Sequence, residues 1–117
     1  MELLPNEILE KLQAQDMYHP SGPGRELSSE ELIVVVQYMM MDSDWKWYAC
    51  SASKDEISGD VQFFGLVNGL EIELGYFWLS ELKKARGSFK LPVQRNPFWR
   101  ERTLKEVMKE VGYAWVS

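Results

Sequence analysis

Cysteine and histidine occur once each in the 117 residues, as Cys50 and His19. A single cysteine excludes a disulfide framework within the chain. One histidine and one cysteine also exclude every zinc site built only from those two ligands in one chain. Long apolar runs are missing too. The longest is Leu32–Val36, against the ~20 residues that cross a bilayer as a helix. The opening MELLPNEILEKL has no cationic region ahead of an apolar stretch, so a secretory leader is not expected. No glycine-rich phosphate cradle, nucleophile elbow or calcium-loop spacing occurs. What is present is ordinary for a globular chain, 45% hydrophobic and 26% charged, which excludes a disordered or fibrous protein. The expectation is one cytoplasmic domain over residues 1–117, with no membrane association and no cofactor.

The charge is unevenly spread. Residues 1–80 hold four cations and fourteen anions, whereas residues 81–117 hold nine cations and four anions. Two readings follow. The basic part can pack across the acidic part and neutralise it. Alternatively the acidic body is a docking surface for a cationic partner, since focused charge of one sign steers encounters. Direct DNA binding is disfavoured, because the net charge is −5 and phosphates are anionic.

Leu4, Ile8 and Leu12, with Leu9 alongside, form an amphipathic helical stripe over 4–15. Residues 16–29, rich in Pro, Gly and Ser, read as a loop. Residues 32–41 carry Ser28-x-x-Glu31 ahead of them, a helix signal, but Ile33 and Val34–Val36 are β-branched and favour a strand. A strand is chosen. WKWYACSA (45–52) alternates and reads as another. VQFFGLV (61–67) and LEIELGYF (70–77) flank Asn68-Gly69, a hairpin signal. A two-residue turn would pair Val67 with Leu70, Leu66 with Glu71 and Phe64 with Glu73, setting two carboxylates among large apolar side chains. Ser80 can cap a helix over 81–86, residues 89–99 read as irregular, and Thr103-x-x-Glu106 opens a helix over 104–111 that Gly112 ends. The sum is an α+β fold: an N-terminal helix, an antiparallel sheet of about four consecutive strands, and two C-terminal helices, with helices mainly on one face.

Several stretches resemble a bacterial family known as domain of unknown function 2958: the opening MELLPNEILEKL, WKWYA (45–49), FFGLVNGLEIELGYFWLSEL (63–82) and GSFKLPVQRNPFW (87–99). The likeness spans roughly residues 1–108. Cys50 and Ser51 stand where members carry Thr-Glu, and Gln94, Arg95 and Asn96 where they carry Glu-Arg-Asp, so the carboxylates of those places are absent here. The resemblance implies a small bacterial protein of mobile elements, whose relatives lie near anti-restriction and DNA-handling genes. It implies no catalytic residue.

Candidate sites follow from residue type. Asp42, Asp44, Asp55, Glu56, Asp60, Glu71 and Glu73 are the candidate acidic docking face. Trp45, Trp47, Arg95, Trp99, Arg100 and Arg102 are candidate aromatic and basic contacts for a partner or a nucleotide-like ligand, because arginine beside aromatic rings suits phosphate or partner recognition. Such rings are more often core, and the arginines serve equally as ion-pair donors. Glu71 and Glu73 on one strand face could do acid–base work if desolvated. His19 and Cys50 lack an associated nucleophile or base. The leading expectation is a non-enzymatic inhibitor or adaptor that docks on a bacterial nucleic-acid-handling protein, for example a restriction enzyme or CRISPR effector. A ligand-sequestering domain and a structural subunit of a mobile-element complex are the alternatives. Monomer and homodimer both remain open.

Overall fold

The computed structural model describes residues 2–16 and 29–113. Helix α1 (Asn6–Asp16) starts after Pro5, whose carbonyl accepts from the N–H groups of Ile8 and Leu9. The stripe read from the sequence points inward, and Leu12 is fully buried. The loop assigned to 16–29 and the capping role of Ser28 fall largely outside the described residues, as do His19 and Trp115.

The β-branched run settles as extended chain, in two pieces. β1 (Ile33–Val34) and β2 (Val36–Met40) are interrupted at Val35. The interruption lies across from an irregularity in β3 (Lys46–Lys54), where the pairing with β4 (Val61–Asn68) steps from Ala49/Gly65 to Ser51/Phe64 and leaves Cys50 as an extra residue. Such a bulge shifts side-chain parity. Trp47, Ala49 and Ala52 thereby all belong to one core cluster, while Tyr48 and Cys50 belong to the other. Gln15 fits the widened gap. Its amide nitrogen donates to the carbonyls of Ile33 and Cys50, and its oxygen accepts from Ile33 N–H.

β5 (Ile72–Trp78) completes four consecutive antiparallel strands, and β6 (Val93–Arg95) adds a fifth beside β2, in the order β5-β4-β3-β2-β6. β6 lies within the segment expected to be irregular. Its pairing with β2 satisfies part of that backbone despite the flanking prolines. The remaining pair joins β1 to β7 (Arg102–Thr103).

The Asn-Gly hairpin forms with a different register. Asn68 pairs with Ile72, Leu66 with Leu74 and Phe64 with Tyr76, so the connection is the loop 69–71 and not a two-residue turn. The ring of Trp45 lies so close to Gly69 that a Cβ there would come within 2.4 Å of it. Gly69 is held beneath the indole, and the reversal moves one step along the chain.

Helices cover both sheet faces. α1 and α2 (Leu79–Lys84) pack on the face of Tyr38, Trp47, Phe63 and Phe77, and α3 (Leu104–Val111) packs on the face of Tyr48, Phe64 and Leu66. The expectation of helices mainly on one face is corrected by β4 itself. Its run Phe63, Phe64, Gly65, Leu66 is buried without alternation, the pattern of a strand covered on both sides. α2 begins earlier than expected, because Glu81 accepts from Trp78 N–H and closes its first turn. Ser80 bonds elsewhere. α3 matches residue for residue, with Thr103 and Glu106 capping each other's backbone and Gly112 left-handed at φ 78°.

Candidate functional site

Two turns and a loop meet at one end of the sheet, where β2 passes to β3 and β4 to β5. Asp42 organises it. Its Oδ2 accepts from the N–H groups of Phe89 (2.7 Å) and Leu91 (3.3 Å). Its Oδ1 is buried without a hydrogen-bond partner and lies where a Cβ on Gly87 would be, 1.8 Å away. The carboxylate therefore clamps a tight turn in which Lys90 adopts φ 62° and donates its N–H to the carbonyl of Gly87. The clamp turns Phe89 outward, 80% exposed.

Trp45 divides this end into two grooves. One, of about 470 Å³, is lined by Met40, Trp45, Trp47 and Arg86. The other, of about 350 Å³, is lined by Trp45, Val67, Leu70, Glu71 and Glu73. The two indole rings lie 5.8 Å apart. Around them Met41, Leu70, Phe89 and Leu91 are exposed, Leu70 to 93%, and so are Asp44, Glu71 and Glu73. Exposed apolar side chains mixed with exposed carboxylates thus gather at the Trp45 end.

The seven candidate carboxylates do not form one face. Asp55, Glu56 and Asp60 lie at the opposite end, beyond the nine residues of β3, about 30 Å away at strand rise. Two of them have local work. Asp55 accepts from Ser58 Oγ and Ile57 N–H, and these bonds hold its carboxyl below the usual range. Asp60 accepts from Ser80 Oγ at 2.6 Å, from Ser80 N–H and from Val61 N–H, and the Ser80 hydroxyl is the main cause of its lowered pKa. Glu71 and Glu73 are not flanked by Phe64 and Leu66. Glu71 sits in the 69–71 loop and Glu73 pairs with Val67, so the desolvated acid–base pair read from the sequence does not exist.

The basic and aromatic candidates are dispersed. Trp47 is core. Arg95 is separated from it by Tyr38 and donates from Nε to the carbonyl of Glu2. Trp99 donates from Nε1 to Val34 O and packs against Tyr48, with the guanidinium of Arg102 4.0 Å above its ring. Arg102 also forms a two-pronged pair with Glu110, while Arg100 is exposed. Lys11 pairs with Glu101. Neither ion pair joins a cation of 81–117 to a carboxylate of 1–80, so neither performs the neutralisation that composition suggested. Cys50 is buried, and burial pushes its thiol pKa up. Among the described residues no group of three or more His, Cys, Asp or Glu is placed to hold a metal ion, and no helix is long and apolar enough to cross a membrane.

A model of the family described as protein of unknown function DUF2958 matches residues 3–111. The chain belongs to the DUF2958 family. No curated protein and no solved structure matches it. The stretch matched by the DUF2958 model takes in the whole Trp45 end: the Asp42 clamp, the loop 69–71 and the turn that presents Phe89.

Three features of that end escape a reading of residue types. Asp42 looks like a solvated turn residue until its distant partners, Phe89 and Leu91, are known. Gly69 looks like a turn glycine and is a seat for Trp45. Leu70 and Phe89 look like core. The available signal was their position, since each stands beside a glycine turn where a buried side chain is unusual.

Proposed function

We propose that this chain is a non-enzymatic binding protein, an inhibitor or adaptor of the counter-defence kind found on mobile elements. It acts in the bacterial cytoplasm by docking its Trp45 end on a cationic surface of a nucleic-acid-handling protein, such as a restriction enzyme or CRISPR effector. The observation that carries this reading is the joint exposure of Met41, Leu70, Phe89 and Leu91 with Asp44, Glu71 and Glu73 at one end. Apolar anchors give such an interface its affinity, and the carboxylate rim gives steering and selects a basic partner.

The test is capture of purified effectors by the tagged chain, followed by the effector's DNA or guide binding. Capture should weaken as salt rises, since exposed charges more than about 8 Å apart are already largely screened at physiological ionic strength and the screening length shortens with added salt. The captured effector should lose nucleic acid. The double variant Leu70→Ser/Phe89→Ser should lose capture, and Asp44→Lys/Glu71→Lys should slow association. If all of these bind as the wild type does, the docking reading is wrong.

The groove beside Trp45 and Trp47 favours a second reading, a site for a flat nucleotide-like ligand. Arg86 lines that groove and Arg95 does not. Saturable quenching of tryptophan fluorescence by nucleotides tests it, and an unresponsive panel removes it.

A further inference from the structure

The two outer strands of the sheet are finished differently. β6 has three residues and is bounded by Pro92 and by Asn96-Pro97. Short length and proline are ordinary means of blocking an edge. β5 has seven residues, contains no proline, lysine or arginine, and pairs with β4 without a register break from Ile72 to Trp78. It stands last in the strand order among the described residues. Alternate N–H and C=O groups of such an edge point away from the sheet and can accept another strand.

Gly75 sharpens the point. Its φ is not positive, and a Cβ built on it would meet nothing within 4 Å. Neither backbone conformation nor packing calls for glycine, although glycine weakens a strand. Its cross-strand neighbour is Gly65, so no side chain of β4 covers it. The result is a notch on the edge strand, with Phe77 on one side and the exposed Glu73 on the other, all on one face. An edge glycine is rescued when an aromatic residue of an adjoining strand lies over it.

We propose that the β5 edge accepts an extended segment of the partner as a sixth, antiparallel strand. This deepens the docking reading and rests on it, because Glu71, Glu73 and Leu70 of the Trp45 end begin that edge. The segment places an aromatic side chain over Gly75 and a lysine or arginine opposite Glu73, with an aliphatic residue opposite Phe77. In chain order it reads aliphatic-x-aromatic-x-cation. Charge selects it over a second copy of this chain, whose β5 offers no cation to Glu73 in any register.

The probe is a peptide, Thr-Val-Thr-Phe-Thr-Lys-Thr, titrated into the full chain while amide shifts and hydrogen exchange are followed. Shifts and new protection confined to residues 72–78 are expected. Gly75→Arg, which has room to fold, and Glu73→Lys should each weaken the peptide about tenfold, and the peptide with Glu in place of Lys should recover binding to Glu73→Lys. Unmoved amides at 72–78 overturn strand addition. A concentration-dependent dimer abolished by Gly75→Arg overturns it in favour of self-pairing. Effector capture separates the two readings. If Leu70→Ser/Phe89→Ser loses capture while Gly75→Arg keeps it, docking stands and strand addition falls. If both variants keep capture, docking falls, and a peptide response confined to 72–78 alone supports the edge.

Discussion

Asp42 shows how one carboxylate can hold a surface feature in place. Its two oxygens are used differently, one accepting two backbone N–H groups and the other wedged against Gly87. Asp42→Ala should cost about 1–3 kcal/mol, because two donors lose a charged acceptor. The amides of Phe89 and Leu91 should exchange faster in that variant. Gly87→Ala should also destabilise, by collision with the carboxylate, yet should cost little in the Asp42→Ala background. Urea unfolding of the four proteins measures that non-additivity. Asp60, like Asp55, contributes to the acid limb of stability. Its folded pKa is lowered, chiefly by the Ser80 hydroxyl. The stability it contributes is complete above the unfolded value of about 3.9 and is lost as pH falls through the lower folded value. Ser80→Ala should therefore raise the Asp60 pKa in an NMR titration and flatten the acid limb of stability.

Among the elements, α3 was fully legible. A capping box and a terminal glycine are both local, and local signals survive folding. Thr103→Ala should cost about 1 kcal/mol and Gly112→Ala about 1 kcal/mol for its left-handed backbone. Both are checked by thermal unfolding. The hairpin was legible in existence and not in register. Asn68-Gly69 announces a reversal, but the turn dipeptide does not show that the loop runs over 69–71 or that Trp45, remote in sequence, lies over Gly69. β6 was hidden because proline argues against a strand, and only β2 supplies the reason to form one. The candidate site was legible as a list of charges and not as a place. Strand order sends Asp42, Asp44, Glu71 and Glu73 to one end and Asp55, Glu56 and Asp60 to the other, and no composition count contains that direction.

At the scale of the molecule, four strands are joined by short reversals between neighbours, while the closures are remote. β1 pairs with β7, Arg95 reaches the carbonyl of Glu2, and Lys11 meets Glu101. The lid over Tyr48, Phe64 and Leu66 comes from Leu104, Val107 and Met108. This ordering has a consequence during synthesis. Contacts between sequence neighbours form early and remote ones late, so the growing chain can assemble the meander well before its cover exists. Until residues 104–108 leave the ribosome, that side of the sheet lacks the cover of Leu104, Val107 and Met108, and uncovered apolar surface on a nascent domain invites chaperones and aggregation. A chain stopped just before Leu104 should bind a hydrophobic dye and precipitate, whereas the full chain should do neither. Delivery of α3 thus closes this exposure, and the speed with which the ribosome supplies it sets how long that face of the sheet stays uncovered.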